Sequence, residues 1–244
     1  HGVGPNHLIL NLEDISFNYT GGPKVLADLD LQLFKGDRIG LMGPNGSGKT
    51  TLFQIIMGLL KPSSGSIEIY NTPCKTEKDF IDVRKKIGLL FQDADDQLFS
   101  PTVLEDVAFG PLNLGKSRDE AMEISLNTLN FLGLSGFEDR ITYKLSGGEK
   151  KLVSLATVLA MEPEVLLLDE PTSGLDEKTQ TTLKNVLSGL DLSYIIISHE
   201  IDFLAEITDH IYTMENGKIL FDQEVHAHQH VHAHPHGAYV HEHK

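Results

Sequence analysis

Arg38-Ile39-Gly40-Leu41-Met42-Gly43-Pro44-Asn45-Gly46-Ser47-Gly48-Lys49-Thr50 decides the fold of this chain. A short apolar strand runs into a glycine-rich loop, and a helix with apolar residues from Thr50 to Leu60 follows, stopped by Lys61-Pro62. The segment Gly43 to Thr50 completes the phosphate-loop pattern in its strand–loop–helix setting. Its glycines let backbone N–H groups wrap phosphate oxygens, and the positive end of the helix adds to the attraction. Lys49 is expected to reach the β and γ oxygens and the Thr50 hydroxyl to hold Mg²⁺, with Thr51 beside them among the nucleotide-binding residues.

A second acidic strand completes the pair. Val165 to Leu168 is a continuous apolar run, as expected of a strand buried on both faces of a parallel sheet, and it ends in Asp169-Glu170. Asp169 is expected to hold Mg²⁺ through water, and Glu170 to act as general base toward the attacking water. No Asn-Lys-x-Asp motif occurs, which argues against a switch GTPase.

Outward from these two strands, Leu8 to Tyr19 reads as a strand with Ile15, Phe17 and Tyr19 on one side. Val25 to Phe34, Ile67 to Tyr70, Ile87 to Phe91 and Tyr194 to Ser198 read as further strands. Asn216-Gly217 marks a hairpin between Ile211–Glu215 and Lys218–Phe221. Ser117-Arg118-Asp119-Glu120 is a capping box opening a helix to about Leu132. Leu152, Leu155, Ala156 and Leu159 mark another helix at i, i+3, i+4, i+7. Strands alternating with helices mean α/β with a mainly parallel sheet. Residues 1–7, which begin with His1 and not Met, are expected to be a cloning remnant or disordered. Residues 8–225 are expected to form the folded domain, with a helical subdomain at about 92–145, and 226–244 a flexible tail.

Composition narrows the partners. The formal charge is −15, which disfavours nucleic acid because phosphate contacts need Lys and Arg. One cysteine, Cys74, excludes an intramolecular disulfide, suits a reducing compartment and reads as structural. No stretch reaches the roughly 18 apolar residues of a membrane span, and no secretory signal opens the sequence.

Leu145-Ser146-Gly147-Gly148-Glu149 then sorts the protein further. This second glycine turn opens a helix and so offers another anion site. With it, the sequence resembles the ATPase subunit of ABC transporters over residues 8 to 222. The resemblance implies a RecA-like P-loop NTPase core, an N-terminal antiparallel β subdomain and an α-helical subdomain. It places Tyr19 as the aromatic that stacks on adenine, and Gln92 as the glutamine that senses Mg²⁺ and the membrane partner. It identifies Ser173-Gly174-Leu175-Asp176 as the D-loop and His199 as the switch histidine at the γ-phosphate. It implies a head-to-tail dimer, homomeric or with a related ATPase, in which ATP lies between one subunit's Lys49 loop and the other's Ser146 turn. Membrane-embedded subunits and a place on the cytoplasmic face of the membrane follow from the same likeness.

Two departures stand out. The signature usually ends in Gln, and here it ends in Glu149, with Lys150 and Lys151 placed to offset the added carboxylate. Leu152 stands where a basic residue is common. The run Phe91-Gln92-Asp93-Ala94-Asp95-Asp96-Gln97-Leu98-Phe99 resembles energy-coupling-factor and cobalt-importer ATPases, which usually carry Pro at the position of Ala94. Asp93, Asp95 and Asp96 read as a solvated face in preference to a metal site.

The tail bears on cargo. His226, His228, His230, His232, His234 and His236 alternate strictly, with His241 and His243 after a gap. Imidazole suits Ni²⁺ and Co²⁺, and alternate side chains of an extended segment share a face. A cobalt or nickel importer ATPase is therefore the favoured reading. An ABC ATPase for another cargo with an incidental or engineered tail, a soluble ABC ATPase for repair or ribosome work, and a metal-storage protein with a vestigial ATP site are the alternatives.

Overall fold

The computed structural model describes residues 7–225. Strands β1 (Leu8–Asn18), β2 (Lys24–Phe34), β4 (Ser64–Ile69) and β5 (Thr72–Pro73) form an antiparallel sheet in the order β2-β1-β4-β5. A second sheet joins β3 (Arg38–Met42), β6 (Ile87–Leu90), β7 (Val165–Asp169), β8 (Ser193–Ile197), β9 (His210–Glu215) and β10 (Lys218–Val225). Its order is β10-β9-β3-β8-β7-β6, parallel throughout except for the β9–β10 hairpin. The hairpin turns at Asn216-Gly217, both with positive φ, as the sequence pattern requires.

The central strands β7 and β8 of the six-stranded sheet are buried on both faces. Val165 and Leu167 enter one core with β1, β2 and helix α1 (Lys49–Ile56), and Leu166 and Leu168 enter the other. The second core is built with α5 (Gly147–Leu159), α6 (Glu177–Gly189) and α7 (Ile201–Ile207). Ile195 and Ile196 divide in the same way and are fully buried, each worth about 1.5–3 kcal/mol. Leu152 is buried in the second core, which accounts for an apolar residue where a basic one is the family expectation.

The simple alternation expected of the first strand is broken. Leu10 and Leu12 are buried, then Ile15 and Phe17, so the inward face changes parity. The shift falls at Asp14, φ 53°, between the paired positions Leu12 and Ile15. Asp28 in β2, φ 49°, does the same between Leu26 and Leu29. These are bulges, pinned by hydrogen bonds from Asp28 N–H to Ser16 Oγ (3.0 Å) and from Asp14 N–H to Asp30 Oδ1 (2.9 Å). Tyr19 lies beyond the strand end and is 51 % exposed.

Helix α1 ends at Ile56, four residues short of the expected Leu60. The Gly58 N–H bonds to Ile55 C=O and the Leu59 N–H to Gln54 C=O, with Gly58 at φ 71°. That is a left-handed cap that closes the helix before the proline is reached. Helix α2 (Glu77–Lys86) is not among the elements the sequence pattern predicts. Its signal is Thr76 and Asp79, which form a reciprocal cap. Cys74 is buried, its Sγ–H donating to Thr72 C=O, and burial pushes its thiol pKa up.

Helices α3 (Val103–Asn113) and α4 (Arg118–Phe131) pack against each other and against α5. Thr102 and Ile141 form a bridge at the base of this segment, and Ser117 Oγ accepts from Glu120 N–H at the start of α4.

Candidate functional site

The phosphate loop, the acidic strand end and the histidine meet in one pocket because of strand order. β8 lies between β3 and β7, so the loop after β3 and the carboxylates after β7 face each other across one strand. The pocket encloses about 320 Å³ and is lined by Tyr19, Asn45 to Thr51, Gln92, Asp169, Glu170 and His199, together with Val25 and Ile197. Val25 and Ile197 carry no signal in the sequence beyond their apolar character.

Gly43 is needed for a close approach. A Cβ there would lie 2.2 Å from Met214 O and 3.0 Å from Ser47 Oγ. Lys49 is buried and its Nζ donates to Gly43 O at 2.6 Å, which holds the ammonium inside the loop. Thr50 Oγ1 donates to Asp169 Oδ2 at 2.9 Å and ties the loop to the end of β7. Tyr19 Oη lies 3.4 Å from Thr51 Oγ1, and its ring sits edge-on to Phe17 at the mouth. His199 Nε2 approaches Glu170 Oε1 to 3.0 Å, without the angles of a hydrogen bond. Glu170 has φ 47°, a conformation that costs a non-glycine residue of order 1 kcal/mol or more.

Burial dominates the electrostatics of the site. Burial pushes the Asp169 carboxyl pKa up, against the Thr50 hydrogen bond and the charges of Lys49 and Lys151. Burial also raises Glu170, against His199 and Lys49, with Asp169 adding to the rise. Burial pushes Lys49 down, against Glu170 and Asp169. Ser47 Oγ, Asp169 Oδ1 and Glu170 Oε1 are buried without a hydrogen-bond partner, each a cost of about 1–3 kcal/mol or more. A hydroxyl in a phosphate loop and two carboxylate oxygens beside it fit a Mg²⁺–nucleoside triphosphate.

The turn Leu145–Glu149 lies outside this pocket's lining. Ser146 caps α5, its Oγ accepting from Glu149 N–H (3.2 Å) while Glu149 Oε1 accepts from Ser146 N–H (2.9 Å). Arg140 Nη2 lies 3.2 Å from Glu149 Oε2. Hydrogen bonds from Ser146, with help from Arg140, hold the Glu149 carboxyl below its usual range. The cation that offsets Glu149 is thus Arg140. Lys150 pairs with Asp95 and Lys151 turns inward, because successive residues of a helix point to different sides. Asp93 Oδ1 accepts from Asp95 N–H, so these acids shape a turn. Asp176 caps α6 through Thr179 N–H at 2.8 Å, and hydrogen bonding from the Thr179 side chain and then its backbone holds the carboxyl low.

Among the described residues, no cluster of three or more His, Cys, Asp or Glu is arranged to hold a metal ion. The histidines from His226 to His243 lie outside the described residues.

A phosphate loop facing an acidic strand end and a histidine, with a capped glycine turn set apart from them, defines an ATP-hydrolysing nucleotide-binding protein. A family model described as "ABC transporter" matches residues 26–173. A protein of Nitratidesulfovibrio vulgaris named as an ABC transporter ATP-binding protein is 51% identical over 236 residues, covering 96% of this chain and 86% of its own. The energy-coupling factor transporter ATP-binding protein EcfA of Methanocaldococcus jannaschii is 43% identical over 216 residues, 87% of this chain and 77% of that one. The structure of cbiO1 from Clostridium perfringens, part of the ABC transporter complex cbiONQ, matches with TM-score 0.82 and 36% identity over 92% of this chain and 91% of that one. The protein belongs to the ABC transporter family as an ATP-binding subunit, an ATPase whose hydrolysis is coupled to transport.

Proposed function

We propose that this protein is the ATPase of an energy-coupling-factor-type importer of a transition-metal ion, cobalt or nickel. In this reading Tyr19 stacks on adenine, and Gly43 to Thr51 hold the phosphates. Thr50, Gln92 and Asp169 would hold Mg²⁺, which when bound would supply charge neutralisation for the phosphates. Glu170 takes the proton of the attacking water and His199 steadies the γ-phosphate.

The observation that carries the mechanism is the separation of the two glycine turns. The Ser146 turn lies outside the pocket that its own subunit forms. A Cβ at Gly147 would meet nothing within 4 Å in this subunit. A glycine that its own fold does not require suits close approach by something else, and the γ-phosphate held by a second ATPase subunit has the chemistry for a helix N-terminus. The dimer is therefore head to tail, with ATP shared between subunits, and Asp176, on the helix beside that turn, belongs to the same face.

No helix among the described residues is long and apolar enough to cross a membrane; the likeness to EcfA and to part of the cbiONQ complex supports membrane-embedded partners. A groove beside the Gln92 loop suits them. Phe99, 68 % exposed, packs edge-on against Phe109 at its rim, and Leu59 and Met161 add apolar surface. Cargo rests on the Phe91–Phe99 run, on the likeness to EcfA and to part of the cbiONQ complex, and on the alternating histidines. The EcfA likeness by itself also suits another small solute, with the histidines incidental.

The deciding experiment is co-purification with the membrane partners, reconstitution into vesicles, and measurement of ATP-dependent uptake of Co²⁺ and Ni²⁺ against a vitamin-type solute. Uptake of the solute with neither metal would overturn the metal reading and leave the ATPase intact.

A further inference from the structure

Lys151 is a buried cation to which the nucleotide chemistry above gives no task. Its side chain is on the core side of α5 and the residue is 3 % exposed. Burying an ammonium is costly unless it finds partners. Its Nζ donates to the backbone carbonyl oxygen of Gln92 and, at 3.5 Å, to that of Phe91. Neighbouring residues of α5 lie against the same segment. Lys150 Nζ lies 3.1 Å from Asp95 Oδ1, and Ser154 Oγ, which donates to Lys150 O at 2.8 Å, lies 3.5 Å from Ala94 O. The other side is held by Gln97, whose amide accepts from Phe91 N–H (3.0 Å) and donates to Leu89 O (2.9 Å). The loop that carries Gln92 therefore has little freedom of its own.

We infer that Lys151 is a positioning residue for Gln92, fixing its backbone against the helix whose first turn carries Ser146. The inference rests on Gln92 serving its own subunit's nucleotide, as proposed above. Helix α5 then carries both the turn that addresses a neighbouring subunit's ATP and the cation that sets the loop at its own. A methionine would fill the same space without a donor. Lysine supplies three donors on a flexible stem, and arginine a longer fork with donors in the same region.

The test compares Lys151→Met, Lys151→Arg and Lys150→Met in the full-length protein. In nucleotide-free protein, Lys151→Met should speed amide hydrogen exchange across residues 91–97 by about tenfold, in keeping with loss of a charged hydrogen bond. In steady-state assays kcat should fall by about tenfold while KM for ATP stays within about twofold, the pattern of a contact that matters in the transition state. Lys151→Arg should recover most of both. Lys150→Met, which loses an exposed pair, should change little. Unchanged exchange at 91–97, a raised KM with intact kcat, or equal losses in the Arg and Met variants would each overturn the inference. Lys151→Leu, which also lacks a donor, carries the same comparison if the Met variant does not fold. The exchange readout needs no nucleotide and no dimer. Failure of the shared-site reading would show instead as absence of an ATP-dependent dimer with exchange still responding to Lys151.

Discussion

Glu170 Oε1 lies 3.0 Å from His199 Nε2, and the backbone presenting that carboxylate is left-handed at φ 47°. A costly backbone conformation aims the carboxylate into the pocket next to the phosphate loop. Replacing it by the isosteric amide, Glu170→Gln, should leave ATP affinity intact and lower turnover by about 10²–10⁴, the usual contribution of a general base. An ATP-bound dimer should accumulate, visible by light scattering. Hydrolysis at the parental rate would remove the general-base role.

The same substitution bears on stability. Burial sets the folded-state pKa of Glu170 above its ordinary value, so over that window the folded protein holds a proton that the unfolded one releases. Stability therefore falls as pH rises through the window, and at neutral pH the ionised carboxylate weighs against the nucleotide-free fold. Glu170→Gln should melt higher than the parent at pH 7, with the gain vanishing below about pH 4, where both states are protonated. Each 1 kcal/mol would read as about 2–4 °C. A melting difference independent of pH would contradict this account.

Gly147 tests the shared site. Since a Cβ there meets no atom of its own subunit within 4 Å, Gly147→Val should fold with stability within about 1 kcal/mol of the parent. ATP-driven dimerisation of the Glu170→Gln protein should be lost when Gly147→Val is added. Dimers that form as before would show that the turn does not meet a second subunit.

Glu149 forms a reciprocal cap with Ser146 and pairs with Arg140, an exposed contact worth about 0–1 kcal/mol. Glutamine can make the same cap. Glu149→Gln should therefore change urea stability by less than about 1 kcal/mol, whereas Ser146→Ala should cost about 1 kcal/mol more. Turnover of Glu149→Gln should equal or exceed that of the parent, because a carboxylate leaves an anion site. A fall in turnover would assign Glu149 a positive role.

Removing residues 226–244 should lower Ni²⁺ and Co²⁺ binding by calorimetry and spare the ATPase activity of the isolated subunit. Binding by the full-length protein should weaken as pH drops through about 6.5, where imidazoles protonate. Equal metal binding with and without these residues would refute a metal role for the tail.

The legible parts of the sequence are those whose chemistry is local. The phosphate loop, the run Val165–Leu168 and the Ser146 turn each carry their meaning in a few adjacent residues, and the parallel sheet follows from them. The bulges at Asp14 and Asp28 are not legible, because a parity change in one strand makes sense only with its partner in view. Helix α2 is hard to read because its apolar face is short, Phe80 and Val83 being its buried residues. Arg140 and Lys151 are obscure for a common reason. Both act on groups distant in sequence or around a turn, and reading along α5 does not tell which way Lys150 and Lys151 point.

The position of β8 has a consequence for how the protein is made. Residues 193–197 form the strand between β3 and β7, yet they leave the ribosome after both, and long after β3. A nascent polypeptide that stops short of Ser193 holds the phosphate loop and the acidic pair without the spacer that sets their distance. It also leaves the facing edges of β3 and β7 unpaired, the kind of surface that recruits chaperones or other polypeptides. Nucleotide capture thus waits until residues 193–197 have emerged and paired, and ATP binding reports that this part of the sheet has formed.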